Sequence, residues 1–140
     1  MQAEEQFTMN AQPNEQAYRI DFSEEAYMLC LTFDGFWTPL TVARFRAEIT
    51  DTVTRLSATY RTFHMLIDQR SFGVQSLDTV RNLTEIFIET GQMHAGRVAV
   101  VTSSALARMQ VERNLGDPRA KVFCDLESAK SWLTAATPAD

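Results

Sequence analysis

The chain is poor in residues that staple, coordinate or react. Its 140 residues include two cysteines, two histidines and five glycines. Cys30 and Cys124 stand far apart, each in an apolar, strand-like run and without a CxxC partner, so they do not make a disulfide framework. Free cysteine behaves as a small hydrophobe, and a reduced, cytoplasmic setting is the expectation. His64 lies inside an apolar run and is expected to be buried and hydrogen-bonded. His94, between Gly91 and Gly96, is expected to be solvated. Neither has a Cys, Asp or Glu at ligand spacing, so no metal or cofactor is expected. The glycines are scattered at turns and form no phosphate-cradling loop. No HExxH motif or Ser/His/Asp order is present. Asp34 and Asp68 are the one carboxylate pair on which acid–base chemistry could rest, and both read as turn residues at strand ends. The chain reads as not an enzyme.

Positive charge is also scarce, with 13 Lys and Arg against 18 Asp and Glu, a net charge of −5. That balance disfavours nucleic acid and anionic membrane surfaces as partners. No apolar run approaches the ~18–20 residues of a membrane-spanning helix, so no transmembrane segment is expected. The opening MQAEEQFTMN carries two acids and no apolar core, unlike a signal peptide.

What is present suits one globular domain: 45% hydrophobic and 22% charged residues, in a chain long enough to bury roughly 68–70% of its unfolded surface. Residues 1–16 are polar and aperiodic and read as a flexible tail, 17–134 as a single domain, and 135–140 as a second tail. Tyr18–Phe22 alternates apolar and polar, the period of a half-buried strand. Ala26–Phe33 is more continuously apolar, and the two pair as a hairpin across Ser23-Glu24-Glu25. Thr38-Pro39 is a helix start, followed by the stripe Val42, Phe45, Ile49, Val53 and Leu56. Phe63–Asp68 is apolar at nearly every position, as in a strand covered on both faces, and Gln69–Gln75 reads as a polar turn.

Ser76 then opens a helix with Leu77, Val80, Leu83 and Phe87 inward and Gly91 as its C-cap glycine. Arg97–Val101 is a second buried strand. One of Thr102, Ser103 and Ser104 caps a helix carrying Leu106, Met109, Val111 and Leu115, which closes at Gly116-Asp117-Pro118. Val122–Cys124 is a short strand, and Asp125 caps a last helix with Leu126, Ala129, Trp132 and Leu133 inward. The order ββαβαβαβα makes an α/β domain. Its mixed sheet, an N-terminal antiparallel hairpin plus parallel strands joined by right-handed crossovers, is covered by helices.

The hairpin followed by DGFWTP, the strand HMLIDQRSF, the strand–helix RVAVVTSSALARMQ and the closing VFCDLESAKSWL resemble the SpoIIAA-like proteins, small bacterial relatives of the STAS domains found in anti-sigma factor antagonists. The likeness spans about Tyr18 to Leu133. It implies a regulatory or protein-interaction domain. In true antagonists a serine in an Asp-Ser-Ser-Gly-like stretch opens the helix after the central strand and is phosphorylated. The position here is Ser76, in Gln75-Ser76-Leu77-Asp78, which lacks the preceding acid and the following glycine.

In open α/β sheets, ligands gather beyond the carboxyl ends of the strands. Asp68, Arg70 and Ser71 stand there, with Thr102, Ser103 and Ser104 from the next strand. Two helix N-termini, at Ser76 and Ser104, favour anions. These residues form a candidate anion site, against the simpler reading that the serines are caps and Asp68 ties down its loop. Phe36-Trp37 reads as a staple for the first helix, or as an apolar patch or pocket. The leading expectation is a non-enzymatic domain that binds another protein or a second copy of itself. The alternative is a carrier of a small apolar or lipid-like ligand, held between helices and sheet near Trp37.

Overall fold

In the computed structural model, residues 17–114 and 117–135 are described. The segments read as tails, apart from Ala135, lie outside the described residues, as do Leu115 and Gly116. The elements run β1 Tyr18–Ser23, β2 Met28–Gly35, α1 Pro39–Thr59, β3 His64–Phe72, α2 Leu77–Gly91, β4 Val98–Val101, α3 Ala105–Asn114, β5 Ala120–Phe123 and α4 Leu126–Thr134. The strands form one sheet in the order β1-β2-β3-β4-β5. β1 is antiparallel to β2, and each later neighbour is parallel. The expected order and mixed sheet are those observed.

Alternation along the strands divides the core in two. Leu29, Leu31, Phe33, Met65, Ile67, Val100 and Val122 pack with α1 and α2 on one face. Met28, Leu66, Ala99 and Val101 pack with Ala129 and Leu133 of α4 on the other. α1 starts where Thr38 caps the Thr41 N–H at 3.3 Å and Pro39 opens the first turn. Its stripe Val42, Phe45, Ile49 and Val53 is buried.

Several local expectations are corrected. β2 starts at Met28, because Ala26 and Tyr27 belong to the turn, where Tyr27 takes a positive φ of 51°. β3 runs on to Phe72 through Gln69–Ser71, which had read as a turn. Its pairing with β2 continues past an irregularity to Asp34↔Ser71 and Gly35↔Phe72, and buried Phe72 anchors the end. β5 ends at Phe123, leaving Cys124 outside it and exposed. Leu77, the first residue of α2, is exposed, and the helix buries Thr79, Leu83, Ile86 and Thr90.

Gly91 is the last helical residue and Gln92 the cap, in an ordinary helical conformation. Glycine at 91 leaves room for Arg119, whose Nη2 donates to the Gly91 carbonyl at 2.7 Å and would lie 3.2 Å from an added Cβ. In α3 the expected stripe fails: Leu106 and Met109 are exposed, while Ala107 is buried and Val111 partly so. At 3.6 residues per turn, Leu106 and Val111 lie about 140° apart and cannot share a face.

Candidate functional site

Three of the four serines at the carboxyl rim, Ser76, Ser103 and Ser104, are committed to local structure. Ser76 Oγ accepts from the Thr79 N–H at 3.2 Å and caps α2. Ser104 Oγ accepts from the Ala107 N–H at 3.1 Å and caps α3. Ser103 Oγ donates to the Arg70 carbonyl at 2.9 Å, joining the end of β3 to the loop after β4. Ser71 is exposed opposite Asp34. Thr102 is buried, and its hydroxyl has no partner among the described residues.

Asp68 and Arg70 form a closed clip. The carboxylate accepts from the Arg70 backbone N–H at 3.1 Å and from its guanidinium at 2.9 and 2.8 Å. Those bonds hold the Asp68 pKa below the ordinary carboxylate value, although partial burial opposes them. The charge that would attract an anion is already matched by Asp68.

The rim residues also separate by face. Ile67 packs with α1 and α2, so alternation turns Asp68 toward the α4 face, where Lys130 of α4 contributes to its lowered pKa. Ser76 and Ser104 begin helices on the opposite face. The structure thus brings Asp68, Arg70 and Ser103 together and leaves Ser76 apart from them. Asp34 and Asp68 are not opposite one another either: Asp68 pairs with Thr32 and Asp34 with Ser71.

Phe36 and Trp37 go different ways. Phe36 is 66% exposed. Trp37 is buried among Tyr18, Phe33, Phe45 and Phe72, with ring centroids 4.6–5.6 Å away. Its indole N–H lies 3.2 Å from the Ala17 carbonyl and 3.1 Å from that of Asp34. The key to this corner is Gln75, which sequence reasoning passed over as a turn residue. Its Oε1 accepts from the Trp37 N–H at 2.9 Å, and its Nε2 donates to the Gly35 and Gly73 carbonyls, each at 2.9 Å. One buried carboxamide therefore locks together the loops that follow β2 and β3.

A cavity of about 470 Å³ opens between α2, α3 and the sheet face formed by β3, β4 and β5. Met65, Ile67, Val98, Val100, Leu83 and Phe87 are among its walls, with Ala107 and Val111 from α3. Trp37 does not line it, so the pocket lies on the other side of α2 from where it was expected. The available sequence signal was the divided apolar pattern of α3, which could not close one face.

His94, expected to be solvated, is buried in this wall and stacks on Phe63 with centroids 4.6 Å apart. Burial pushes its pKa below the ordinary value, against the pull of backbone carbonyls. His64 is buried, and its Nδ1 accepts from the Arg97 N–H at 2.9 Å. Among the described residues, no group of three or more His, Cys, Asp or Glu is placed to hold a metal ion. None of their helices is long and apolar enough to cross a membrane.

No family model matches the sequence, and neither does any curated protein. Solved structures do match. An uncharacterised protein of the DUF3478 family with a SpoIIAA-like fold, from Shewanella loihica PV-4, superposes with a TM-score of 0.64 at 20% identity, covering 84% of this chain and 92% of its own. An anti-sigma factor antagonist from Mycobacterium paratuberculosis superposes with a TM-score of 0.61 at 12% identity, covering 88% and 97%. With its hairpin-led mixed sheet and helices on both faces, this chain has the SpoIIAA-like, STAS-type fold.

Proposed function

We propose that this domain is a non-enzymatic, STAS-like regulatory module that works by binding another protein or a second copy of itself. The observation that carries the reading is a gathering of exposed apolar side chains where α1 and α2 begin. Phe36 and Leu40 flank the start of α1, and Val74 and Leu77 flank the start of α2; all are exposed. The Gln75 clip holds the two loops side by side. Grouped apolar surface of this kind marks interaction sites, and here it stands on a rigid support. The fold likeness to an anti-sigma factor antagonist supports the same reading. The rim chemistry supports it too, because Asp68, Arg70, Ser76, Ser103 and Ser104 are engaged with each other or with the backbone. Two free thiols accord with a cytoplasmic setting.

The test replaces Phe36, Leu40 and Leu77 together with serine. Substitutions at such exposed positions change stability by about 0.5 kcal/mol or less each, so the variant should fold. Sedimentation at rising concentration reads self-association, and crosslinking in the native host reads a heterologous partner. Loss of either complex in the triple variant supports the reading. A parent chain that forms neither complex overturns it.

A second reading, a carrier of a small apolar ligand, is favoured by the cavity between α2 and α3. Its volume lies within the roughly 300–1,000 Å³ of small-molecule pockets.

A further inference from the structure

We infer that the cavity between α2, α3 and the sheet takes an elongated, uncharged ligand: an aliphatic body with a hydrogen-bonding end, such as a medium-chain alcohol, rather than a carboxylate or a phosphate ester. This rests on the carrier reading and goes beyond it by fixing the shape and charge of the ligand.

Shape follows from register. The cavity wall runs along β3 from Met65 through Ile67 and Gln69 to Phe72; Met65 to Gln69 alone is four residue steps, or about 13 Å of strand. Met65 is level with Val98, and Ile67 with Val100, so the middle of the floor is aliphatic. The first turns of α2 and α3 lie toward the Gln69 end, because both helices run back against the parallel strands. The opposite end is lined by His94, Asp117 and the end of α2 at Gly91. A volume of about 470 Å³ spread over that length makes the space longer than it is wide; its walls are mostly apolar, with Gln69 and Gln75 toward one end, His94 and Asp117 toward the other, and Thr84 and Gln110 between them on α2 and α3.

Charge follows from the wall. Among the described residues, no Lys or Arg belongs to it, and its one ionisable acid is Asp117. Asp117 is held by Arg119, whose guanidinium donates to that carboxylate at 3.2 and 2.8 Å and to the His94 and Gly91 carbonyls at 2.7 Å each. Four of the five N–H donors of an arginine are thereby engaged, and Arg119 is not among the described residues that line the cavity. Burial keeps His94 neutral near pH 7. An anionic head would enter without a partner for its charge, which is costly. A hydroxyl or amide needs only a hydrogen bond. The half-buried Gln69 carboxamide, which has no hydrogen bond to any described residue, offers both a donor and an acceptor.

The test compares 1-octanol with octanoate on the full chain at neutral pH, read by carbon-13 shifts of assigned methyl groups. Octanol should move the methyls of Ile67, Leu83, Val98 and Val100, leave those of Ile49 and Val53 in place, and bind roughly tenfold or more tightly than octanoate. Ala107→Phe, which fills the cavity from α3, should abolish those shifts. Gln69→Leu should weaken octanol binding while keeping its site. Octanoate binding as well as octanol would overturn the charge inference and leave the carrier reading standing. Shifts spread over both halves of the core, or none with either probe, would overturn the carrier reading as well. The shift map on the parent chain decides this even if Ala107→Phe does not fold.

Discussion

The two ends of the sheet solve the same packing problem differently. Around β1 and β2, rings fill the space between sheet and helix: Tyr18, Phe33, Trp37, Phe45 and Phe72 contact one another edge-on or tilted. Around β4 and β5 the strands are short and carry Val98, Ala99, Val100, Val101 and Val122. Among the described residues of α3 only Ala107 is buried, and a cavity of about 470 Å³ remains. Large flat side chains cover much area at little cost in rotamer freedom. Small aliphatic ones cannot bridge the gap between an incompletely amphipathic helix and the sheet. The difference teaches that helices over a common sheet can form one sealed half and one half with room for a guest.

The strongest way to break the comparison is to open the sealed half. Trp37→Ala should cost about 3–5 kcal/mol, as for large-to-small changes in tight cores, because it removes four ring contacts and both indole hydrogen bonds. Urea unfolding measures it. A loss below about 1.5 kcal/mol would mean that the aromatic corner can relax, and the contrast with the cavity side would fall. Gln75→Ala comes next. It leaves the Trp37 N–H and the Gly35 and Gly73 carbonyls without their partner, at about 1–3 kcal/mol for buried groups left unsatisfied. Faster hydrogen exchange at the Trp37 amide should accompany that loss.

Legibility follows the same division. The sealed half could be read because its signals are local and strong: a Thr-Pro helix start, a regular α1 stripe and a dense apolar β3. The order of elements and the mixed sheet could be read from those and from the short β-branched run of β4. The end of β3 could not, because Gln69-Arg70-Ser71 has the composition of a turn and is a strand only through its pairing with β2. The candidate anion site was assembled from sequence proximity to strand ends. What dispersed it was the face of the sheet, since Asp68 and Ser76 lie on opposite sides. Gln75 was hidden for a related reason: its partners lie about forty positions away at Gly35 and Trp37, and a polar residue in a loop announces no such contact. His94 looked solvated between glycines, yet its ring is buried against Phe63.

A smaller effect, of opposite sign in the two halves, sharpens the comparison. Val53, fully buried on α1, does not line the cavity, and Val53→Phe should destabilise by about 1–3 kcal/mol through overpacking. Ala107→Leu adds comparable bulk on the cavity side. It should be neutral or stabilising by about 0.5–2 kcal/mol, the usual return of cavity filling. If both enlargements destabilise equally, the space between α2 and α3 is not available to a side chain, and the octanol experiment should fail with it.

The smallest expected effect is a pH slope belonging to the cavity half alone. His94 is buried there, with Arg119 opposing its protonation and Asp117 and the Ala95 and Phe63 carbonyls favouring it. Burial outweighs the rest and sets its folded pKa below the ordinary 6.5. The unfolded chain therefore binds the proton more readily than the folded one, and stability rises with pH across that interval. The contribution is complete above the unfolded value of about 6.5 and is lost as pH falls from there through the folded value. Asp68 and Asp117 act in a separate window: their folded pKa values lie below the ordinary 3.8, so their contributions fade only in stronger acid. Urea unfolding between about pH 7.5 and about pH 5 should show stability falling with acidification in the parent chain. His94→Phe, which keeps the flat ring stacked on Phe63, should flatten that slope without moving the acid limb below pH ~4. A slope that survives the substitution would assign the titration elsewhere and would mean that the His94 ring reaches water in the folded state.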